Sequence, residues 1–227
     1  MSRLVKKIKI TTILELVTGL HIGGSSDNVE IGGIDTPVIK IATKNNQPYI
    51  PGSSIKGKMR CLLEQIAGRT AEVGGGKLKE GQKRTIEQQR INNLFGYSED
   101  NLPSKIIVRD AYLQEKSVAT LLSCDNLDMP YTEAKMENVI DRVKGTAESP
   151  RTIERIPAGV FFDVEFVINV WDNDGDGTSL ITLLENGIKA LENDYLGGSG
   201  SRGYGQIKFG ALEKEEIPFD KYFENEK

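Results

Sequence analysis

A strict alternation of apolar and polar side chains over residues 160–170 limits the possible folds of this chain most strongly. Polar residues such as Asp163 and Glu165 lie between apolar ones. The apolar positions are Val160, Phe162, Val164, Phe166, Ile168 and Val170. A period of two is typical of a β-strand with one buried face. The same period recurs over residues 5–17, at Ile8, Ile10, Leu14 and Leu16, so we predict two long strands of this kind.

Helical periodicity marks two further segments. One helix is expected to begin at Ser53 or Ser54, which are good N-cap residues. Its apolar stripe consists of Ile55, Met59, Leu62, Leu63 and Ile66. The other begins at Thr178, and its stripe consists of Leu180, Leu184, Ile188 and Leu191. Such stripes predict helices that bury one face.

Shorter elements complete the pattern. We predict strands over 37–41, 47–51, 105–113 and 206–212, and a short helix over 86–95 that ends at Gly96. Without the polar insertions, the order is β-α-β-β-α-β, the ferredoxin-like or RRM-like arrangement of the α+β class. That fold hosts many functions, so the function has to be argued from the sites.

Composition excludes several classes of protein. No apolar run reaches about 18 residues, and residues 1–10 lack the apolar segment of a signal peptide, so we expect neither a membrane span nor export. One histidine, His21, and two distant cysteines, Cys61 and Cys124, argue against a structural zinc site. An unbridged domain of this size points to the reducing cytoplasm.

The charge is unevenly distributed although the net charge is only −4. Residues 1–69 contain 10 Lys and Arg against 5 Asp and Glu, a balance of +5. Residues 161–227 contain 6 against 14, a balance of −8. We predict one surface that faces a polyanion and one that faces solvent or a partner. Ordinary domains also show such asymmetry.

The glycine-rich segment 197–205 (GGSGSRGYG) contains a formal G-x-G-x-x-G at residues 198, 200 and 203. A dinucleotide site requires this loop between a strand and a helix, whereas here it follows a helix and precedes a strand. The remaining interpretation is close approach of the backbone to a ligand, with exposed N–H groups and Arg202 contacting phosphate.

Residues 52–59 (GSSIKGKM) nearly match a phosphate-binding P-loop. Met59 stands where a hydroxyl must bind Mg²⁺, so a nucleotide triphosphatase is not expected. A helix N-terminus with cations still attracts phosphate. The candidate contacts there are Ser53, Ser54, Lys56, Lys58 and Arg60.

Two residues of the long loop 18–36 are candidates for chemistry. His21 is a possible hydrogen-bond donor or a general base in RNA cleavage. Asp35 lies in the glycine-flanked segment 31–37, where a carboxylate can reach a ligand. It would act as a general base on a ribose 2′-OH or hold Mg²⁺. Loop aspartates are also common turn residues.

Four segments together resemble one family. They are TGLHIGGSSDNVEIGGIDTPVIK (18–40), PYIPGSSIKGKMR (48–60), ENVIDRVKGTAESPRTIERIPAG (137–159) and GGSGSRGYG (197–205). In this order they resemble the RAMP superfamily, in its Csm-type backbone subunits of type III-A CRISPR complexes. The resemblance extends from residue 8 to about residue 210.

The resemblance implies a single domain shaped like a hand. The RRM-like palm would comprise 3–64, 104–132 and 158–212. A helical lid would be inserted at about 65–103 and a thumb β-hairpin at about 133–157, with an acidic C-terminal tail at 213–227.

The resemblance also implies roles for residues. Asp35 would be the catalytic residue for cleavage of target RNA, dependent on Mg or Mn. Contacts to RNA would come from His21, Ser53, Ser54, Lys56, Lys58, Arg60, Gly198, Ser199, Gly200, Ser201, Arg202, Arg142, Arg151 and Arg155. Ile153 and Ile156 of the thumb would be the apolar wedges that unstack a base.

The partners implied are a guide (CRISPR) RNA, a target RNA and further copies of the chain in a filament. A large polymerase-like subunit, a small subunit and end-capping RAMP subunits would complete the complex. Two alternatives stay open. One is a non-catalytic RNA-binding scaffold subunit of the same kind of complex. The other is a solitary nuclease that processes guide precursors with His21 as its base.

Overall fold

The two predicted long strands form the centre of the structure, a computed structural model that describes residues 2–24, 34–68 and 84–221. Strand β1 (Leu4–Leu16) pairs antiparallel with β8 (Phe161–Trp171) along almost its whole length. From residue 8 onward in β1, and throughout β8, the even positions are buried and most odd positions lie on the more open face. The period of two therefore predicted both strands correctly.

Further strands flank this pair on both sides. They are β2 (Lys40–Ile41), β3 (Gln47–Ile50), β4 (Ile106–Val108), β5 (Ala111–Leu113), β9 (Ile207–Phe209) and β10 (Glu213–Pro218). The sheet order is β10-β1-β8-β5-β3-β2, with β9 paired to β1 and β4 paired to β8. Strands β6 (Glu133–Ile140) and β7 (Ala147–Arg155) form a separate antiparallel hairpin.

Four α-helices in the described ranges complete the fold, which confirms the prediction of a mixed α and β protein. They are α1 (Gly52–Ile66), α2 (Ile86–Phe95), α3 (Glu115–Leu122) and α4 (Thr178–Glu192). Helices α1 and α4 pack closely because Gly187 leaves room for Met59 and Leu63. These side chains and the buried even residues of β1 and β8 belong to one hydrophobic core.

Several local expectations differ from the structure. Residues 105–113 form two short strands rather than one, and α3 follows them unpredicted. Helix α1 begins at Gly52, and its cap position is Pro51 rather than a serine. Asp110 Oδ1 instead accepts a hydrogen bond from the Gly52 N–H group at 2.8 Å. Within the expected lid, α2 is described, and residues 69–83 lie outside the described chain.

The acidic C-terminal segment is partly a strand of the main sheet. Strand β10 pairs antiparallel with β1, which places glutamates of one beside lysines of the other. Lys6 and Glu216 form a salt bridge of 2.9 Å. The charge asymmetry of the sequence is thus partly neutralised in space, because the basic first strand and the acidic last strand are neighbours. None of the helices in the described ranges is long and apolar enough to cross a membrane.

We predict that Gly52→Ala and Gly57→Ala, the same substitution twice in α1, change stability in opposite directions. A Cβ at Gly52 would lie 2.1 Å from the Val108 carbonyl oxygen, whereas a Cβ at Gly57 would have no described atom within 4 Å apart from its chain neighbours and the backbone of its own helix. Overpacking at Gly52 should cost about 1–3 kcal/mol. Alanine at Gly57 should stabilise the helix by roughly 0.5–1 kcal/mol.

Thermal unfolding checks both changes, since each kcal/mol shifts Tm by about 2–4 °C in a chain of this size. Gly57→Ala controls for the general effect of alanine in this helix. An unchanged Tm for Gly52→Ala would show that α1 does not pack against the β4–β5 connection as described.

Candidate nucleic-acid interface

Three segments that are distant in sequence meet beyond the end of β1. Leu20 pairs with Ile156, just after β7, through hydrogen bonds of 2.9 and 2.8 Å. The Gly198 N–H group donates to the His21 carbonyl oxygen at 2.8 Å, and the Gly205 N–H group donates to the Gly19 carbonyl at 2.9 Å. The structure therefore brings together the first loop, the root of the β6–β7 hairpin and the glycine loop.

Asp35 is held against the same hairpin. Its N–H group donates to the Thr152 carbonyl oxygen at 3.1 Å, and its Oδ2 accepts from the Thr152 N–H group at 2.6 Å. Oδ1 has no hydrogen-bond partner within the described ranges, and the residue is exposed. One carboxylate oxygen is thus fixed by backbone while the other can meet a ligand.

His21 is oriented by the neighbouring strand. Its Nδ1 lies 2.7 Å from the Glu154 carbonyl oxygen. Because a carbonyl oxygen only accepts, Nδ1 carries a proton in this arrangement. The Nε2 atom is therefore the ring nitrogen left for a ligand, and in the neutral ring it would be an acceptor.

The glycines of the glycine loop have two different roles. A Cβ at Gly197 would lie 2.3 Å from the His21 carbonyl oxygen, and one at Gly200 would lie 2.0 Å from the Tyr195 ring. These glycines permit close packing within the chain. At Gly203, by contrast, a Cβ would meet none of the described atoms within 4 Å, and Ser201 and Arg202 beside it are exposed. Gly203 has a φ of 84°, which by itself favours glycine, so this part of the loop is open to a ligand without showing that one binds there.

Basic side chains surround the meeting point of the glycine loop and the hairpin. Glu137 accepts hydrogen bonds from Arg202 at 3.0 Å and from Arg151 at 3.3 Å, and Arg155 pairs with Glu133. The ring of Tyr204 lies 4.4 Å from Lys135 Nζ and 5.1 Å from the Arg155 guanidinium. Four cations thus face two glutamates, and this local surplus of positive charge suits a polyanion.

Tyr204 stays neutral in this cluster. Burial, together with the neighbouring Glu137 carboxylate, raises the pKa of Tyr204 to about 12. The tyrosine therefore places a neutral ring beside Lys135 and Arg155, and it adds no negative charge that would repel a phosphate.

The predicted cations of α1 lie on two different edges of the helix. Lys58 pairs with Asp194 at 2.9 Å and lies 3.6 Å from the centre of the Tyr195 ring, beside the glycine loop. Lys56 donates to Ser104 at 2.7 Å, and Arg60 pairs with Glu64 at 2.8 Å on the other edge. Burial lowers the pKa of both Lys56 and Arg60.

Small residues separate the two edges. Ser53 and Gly57 are exposed, and Ser54 is half-buried at the start of the helix. The Asp110 carboxylate at the first N–H group competes with the phosphate that we predicted for this helix N-terminus. The side of the helix, rather than its end, is the more open surface for a polyanion.

The hairpin requires a correction of the predicted wedge. Ile153 is only 4% exposed and Ile156 only 1%, so both belong to the buried root and neither can insert between bases. The resemblance marked this segment as the thumb, but it could not show that the root of β7 is buried on both faces, at Ile153 and at Glu154. The exposed apolar residues lie further along the hairpin, at Met136, Val139, Ile140 and Val143, and Val143 is 94% exposed. Arg142 lies beside them in the exposed turn.

The described residues offer one carboxylate to a metal rather than a complete set of ligands. No group of three or more His, Cys, Asp or Glu side chains that could hold a metal occurs over 2–24, 34–68 and 84–221. Mg²⁺ is commonly bound by one or two carboxylates together with substrate phosphates. Asp35, whose Oδ1 has no partner among the described residues, fits a metal that is held jointly with a substrate phosphate.

Sequence reasoning missed residues that build this site. Glu154, Thr152 and Glu137 hold Asp35, His21 and the arginines through the contacts above. Each lies in a charged segment without a core pattern, so nothing in the sequence separated them from solvated residues. The Thr152 contact is made by backbone, which no side-chain pattern reveals.

Comparison with known proteins supports a family assignment. The chain is 42% identical over 225 residues to a protein of Methanocaldococcus jannaschii named "CRISPR system Cms endoribonuclease Csm3", with 97% of this chain and 85% of that protein covered. A protein of the same name from Streptococcus thermophilus is 41% identical over 218 residues, with coverages of 93% and 90%.

Solved structures show the same relationship. The crystal structure of a Csm3–Csm4 subcomplex of the type III-A CRISPR-Cas interference complex matches with a TM-score of 0.59 and 31% identity, over 98% of this chain and 86% of that one. A type III-B Cmr-beta complex bound to cognate target RNA shares the fold, with a TM-score of 0.62 at 16% identity over 94% of this chain and 61% of that one. The family model described as "RAMP superfamily" matches residues 13–208. This chain belongs to the RAMP superfamily.

Proposed function

We propose that this chain is a backbone subunit of a type III-A CRISPR effector complex, which binds guide RNA and cleaves the target RNA paired with it. The observation that carries the proposal is the Asp35 carboxylate. It is fixed through one oxygen at the root of a basic hairpin, next to His21 and the glycine loop. The relatives named as endoribonucleases support the same activity.

The finer architecture is also part of the proposal. A ferredoxin-like or RRM-like palm is expected to have the strand order β9-β1-β8 followed by β4 and β5, which both pair with β8. Helices α1 and α4 pack together in the core, as such a palm also requires. We assign the β6–β7 hairpin to the thumb and the segment containing α2 to the lid. In this assignment β10 extends the palm rather than forming a free acidic tail.

Guide RNA would be held through its phosphates, because a guide of any sequence must fit. Arg202 and the open part of the glycine loop would contact one stretch of backbone. The exposed strip of α1, between Lys58 on one edge and Lys56 and Arg60 on the other, would contact the next. Gly57 keeps that strip flat enough for a phosphodiester chain to lie against the helix.

The outer part of the thumb would separate stacked bases. Met136, Val139, Ile140 and Val143 are exposed apolar side chains on a narrow hairpin, and Arg142 adds a positive charge at its turn. Apolar wedges of this kind unstack a base step, and nearby cations hold the displaced backbone. Unstacking frees the sugar to rotate until its 2′-OH lies in line with the scissile phosphate.

Cleavage would then require little from the protein beyond Asp35. The 2′ oxygen attacks phosphorus, the bond to the 5′ oxygen breaks, and the 2′ proton is removed while the leaving oxygen gains one. Asp35 would accept the 2′ proton, or it would hold Mg or Mn. The metal, when bound, would neutralise charge at the phosphate. His21 would contact RNA through Nε2.

The proposed partners follow from this assignment. Besides guide and target RNA, we propose that further copies of the chain stack into a filament, so that the spacing of subunits sets the spacing of cuts. A large polymerase-like subunit, a small subunit and end-capping RAMP subunits would complete the complex, and a Csm3–Csm4 subcomplex is known for a relative. We place the complex in the cytoplasm, where the two exposed free thiols, Cys61 and Cys124, would remain reduced.

We predict that Asp35→Asn abolishes most cleavage and preserves binding. Asparagine keeps an oxygen that can accept from the Thr152 N–H group but removes the negative charge. Loss of a general base or metal ligand should slow cleavage by about 10²–10⁴-fold. The measurement is single-turnover cleavage of labelled target RNA by the reconstituted guide complex in Mg²⁺, with target affinity determined on the same samples.

Asp163→Asn is the matched control, because Asp163 is an exposed carboxylate on the open sheet face that accepts from Gln114 at 2.7 Å. It should cleave at the wild-type rate. Normal cleavage by Asp35→Asn at unchanged positions would refute the catalytic assignment and leave a non-catalytic scaffold.

We further predict that Arg202→Ala weakens guide binding through loss of one phosphate contact. The slope of log K against log salt should decrease in magnitude by about 0.7, the value for one phosphate on single-stranded nucleic acid. Titrations with RNAs of unrelated sequence should give the same decrease. Arg109→Ala is the control, because Arg109 pairs with Glu165 on the open face of the sheet. An unchanged slope in Arg202→Ala would exclude a phosphate contact by this residue.

A further inference from the structure

Glu154 is the most completely buried carboxylate near the proposed site. Its exposed fraction is 0%, although it lies on β7 in a hairpin whose outer part is exposed. Its Oε1 lies 2.5 Å from Lys40 Nζ and accepts from the Thr132 hydroxyl at 2.5 Å. Its Oε2 accepts from the Val38 N–H group at 2.9 Å. The side chain thus joins β7 to the segment that carries Asp35 and to the start of β6.

The backbone of the same residue reaches both candidate functional groups. The Glu154 N–H group donates to the Thr36 carbonyl oxygen at 3.2 Å, next to Asp35. The Glu154 carbonyl oxygen lies 2.7 Å from His21 Nδ1. One residue therefore contacts the loop of Asp35 through its amide, His21 through its carbonyl, and the far side of the Asp35 loop through its carboxylate.

The loop of Asp35 depends on these contacts for its position. Residues 34–38 run alongside β7, where Thr36 forms a parallel bridge with Ile153. On its other side, the hydrogen bonds to residues 22–24 run from the Gly24 N–H group to the Pro37 carbonyl and from the Ile39 N–H group to the Ile22 carbonyl. Asp35 bonds the start of this segment to Thr152 through its own Oδ2, and the Glu154 carboxylate holds the end of it at Val38 and Lys40.

Burying a carboxylate in a core costs more free energy than burying an apolar side chain of similar size. Burying a charge costs free energy that an ion pair only partly offsets, and an apolar side chain of similar size often serves stability equally well. Lys40 remains partly exposed while Glu154 is fully buried. A charged group with three directional contacts does, however, define a position more narrowly than an apolar one does.

We infer that Glu154 is a positioning residue for RNA cleavage, which fixes Asp35 and His21 relative to the thumb. The inference rests on the proposed function, because it assumes that Asp35 acts on the target. Without the Glu154 carboxylate, the loop would keep its backbone hydrogen bonds to β7 but lose the contacts at Val38 and Lys40. The Oδ1 atom of Asp35 would then sample a wider volume. The thumb that displaces a base and the carboxylate that acts beside it would no longer be held in one geometry.

The test compares Glu154→Gln with the wild type in the reconstituted guide complex. Glutamine retains the size and the backbone contacts but cannot accept from Val38, Thr132 and Lys40 together. We expect target affinity within about twofold of the wild type. Single-turnover cleavage should slow by about 10- to 100-fold, or the half-saturating Mg²⁺ concentration should rise by a similar factor, as is typical when a partner of a metal-binding group is removed.

Asp174→Asn is the matched control. Asp174 is also a buried carboxylate, paired with Lys105, and its Oδ2 accepts from the Trp171 N–H group at 3.0 Å. It follows β8 at the opposite end of the β1–β8 pair from the site. This variant should lose stability without a change in the cleavage rate or in the Mg²⁺ requirement.

Thr132→Val provides a second variant if Glu154→Gln fails to fold, because it removes only one donor to Glu154. It should show a smaller change in the same direction. A wild-type rate and Mg²⁺ requirement in the folded variants would overturn the inference. Equal losses of RNA affinity and cleavage, matched by Asp174→Asn, would also overturn it, because they would indicate a purely structural role.

Asp35→Asn separates this inference from the proposed function. If Asp35→Asn cleaves normally, the proposed function fails and the positioning role fails with it. If Asp35→Asn is inactive while Glu154→Gln cleaves as the wild type does, only the positioning role fails.

Discussion

Strand β1 is paired along both of its edges, and this double pairing fixes the positions of the other elements. One edge bonds to β8 over nearly the whole strand, and the other bonds first to β10 and then to β9. A slip of one residue would turn Ile8, Ile10 and Leu14 from the core to the open face, so the register has a single favourable solution. Because β1 is held so firmly, the point at which Gly19 and His21 leave the sheet is also fixed.

The candidate site is built where that fixed end meets two other backbones. The glycine loop returns against His21, and the root of the β6–β7 hairpin crosses beside both. Close approach of the His21 main chain explains Gly197, and packing against the Tyr195 ring explains Gly200; a ligand alone would require neither glycine. The buried Glu154 adds directional contacts at the same junction. Backbone packing and a single buried charge together give a loop carboxylate a defined position without a regular element to carry it.

The acidic and basic side chains of this chain are concentrated in different regions of the structure. The net charge of −4 would repel a polyanion if it were evenly spread. The acidic strand β10 instead lies beside the lysines of β1, and the surplus of cations is concentrated at Arg151, Arg155, Arg202 and Lys135. The local field, rather than the net charge, therefore makes this surface suitable for a polyanion.

Local patterns in the sequence were enough to predict the long strands and the helices α1, α2 and α4, because periodicity is a local property. They also pointed to Asp35, His21 and Arg202 as residue types suited to RNA chemistry. The folded chain was needed to show that Ile153 and Ile156 are buried, that Asp110 caps α1, and that β10 joins the sheet. It was also needed for the environment of Glu154, whose carboxylate meets the Val38 amide 116 residues away. Burial and pairing of this kind depend on contacts between distant segments, and no local pattern encodes them.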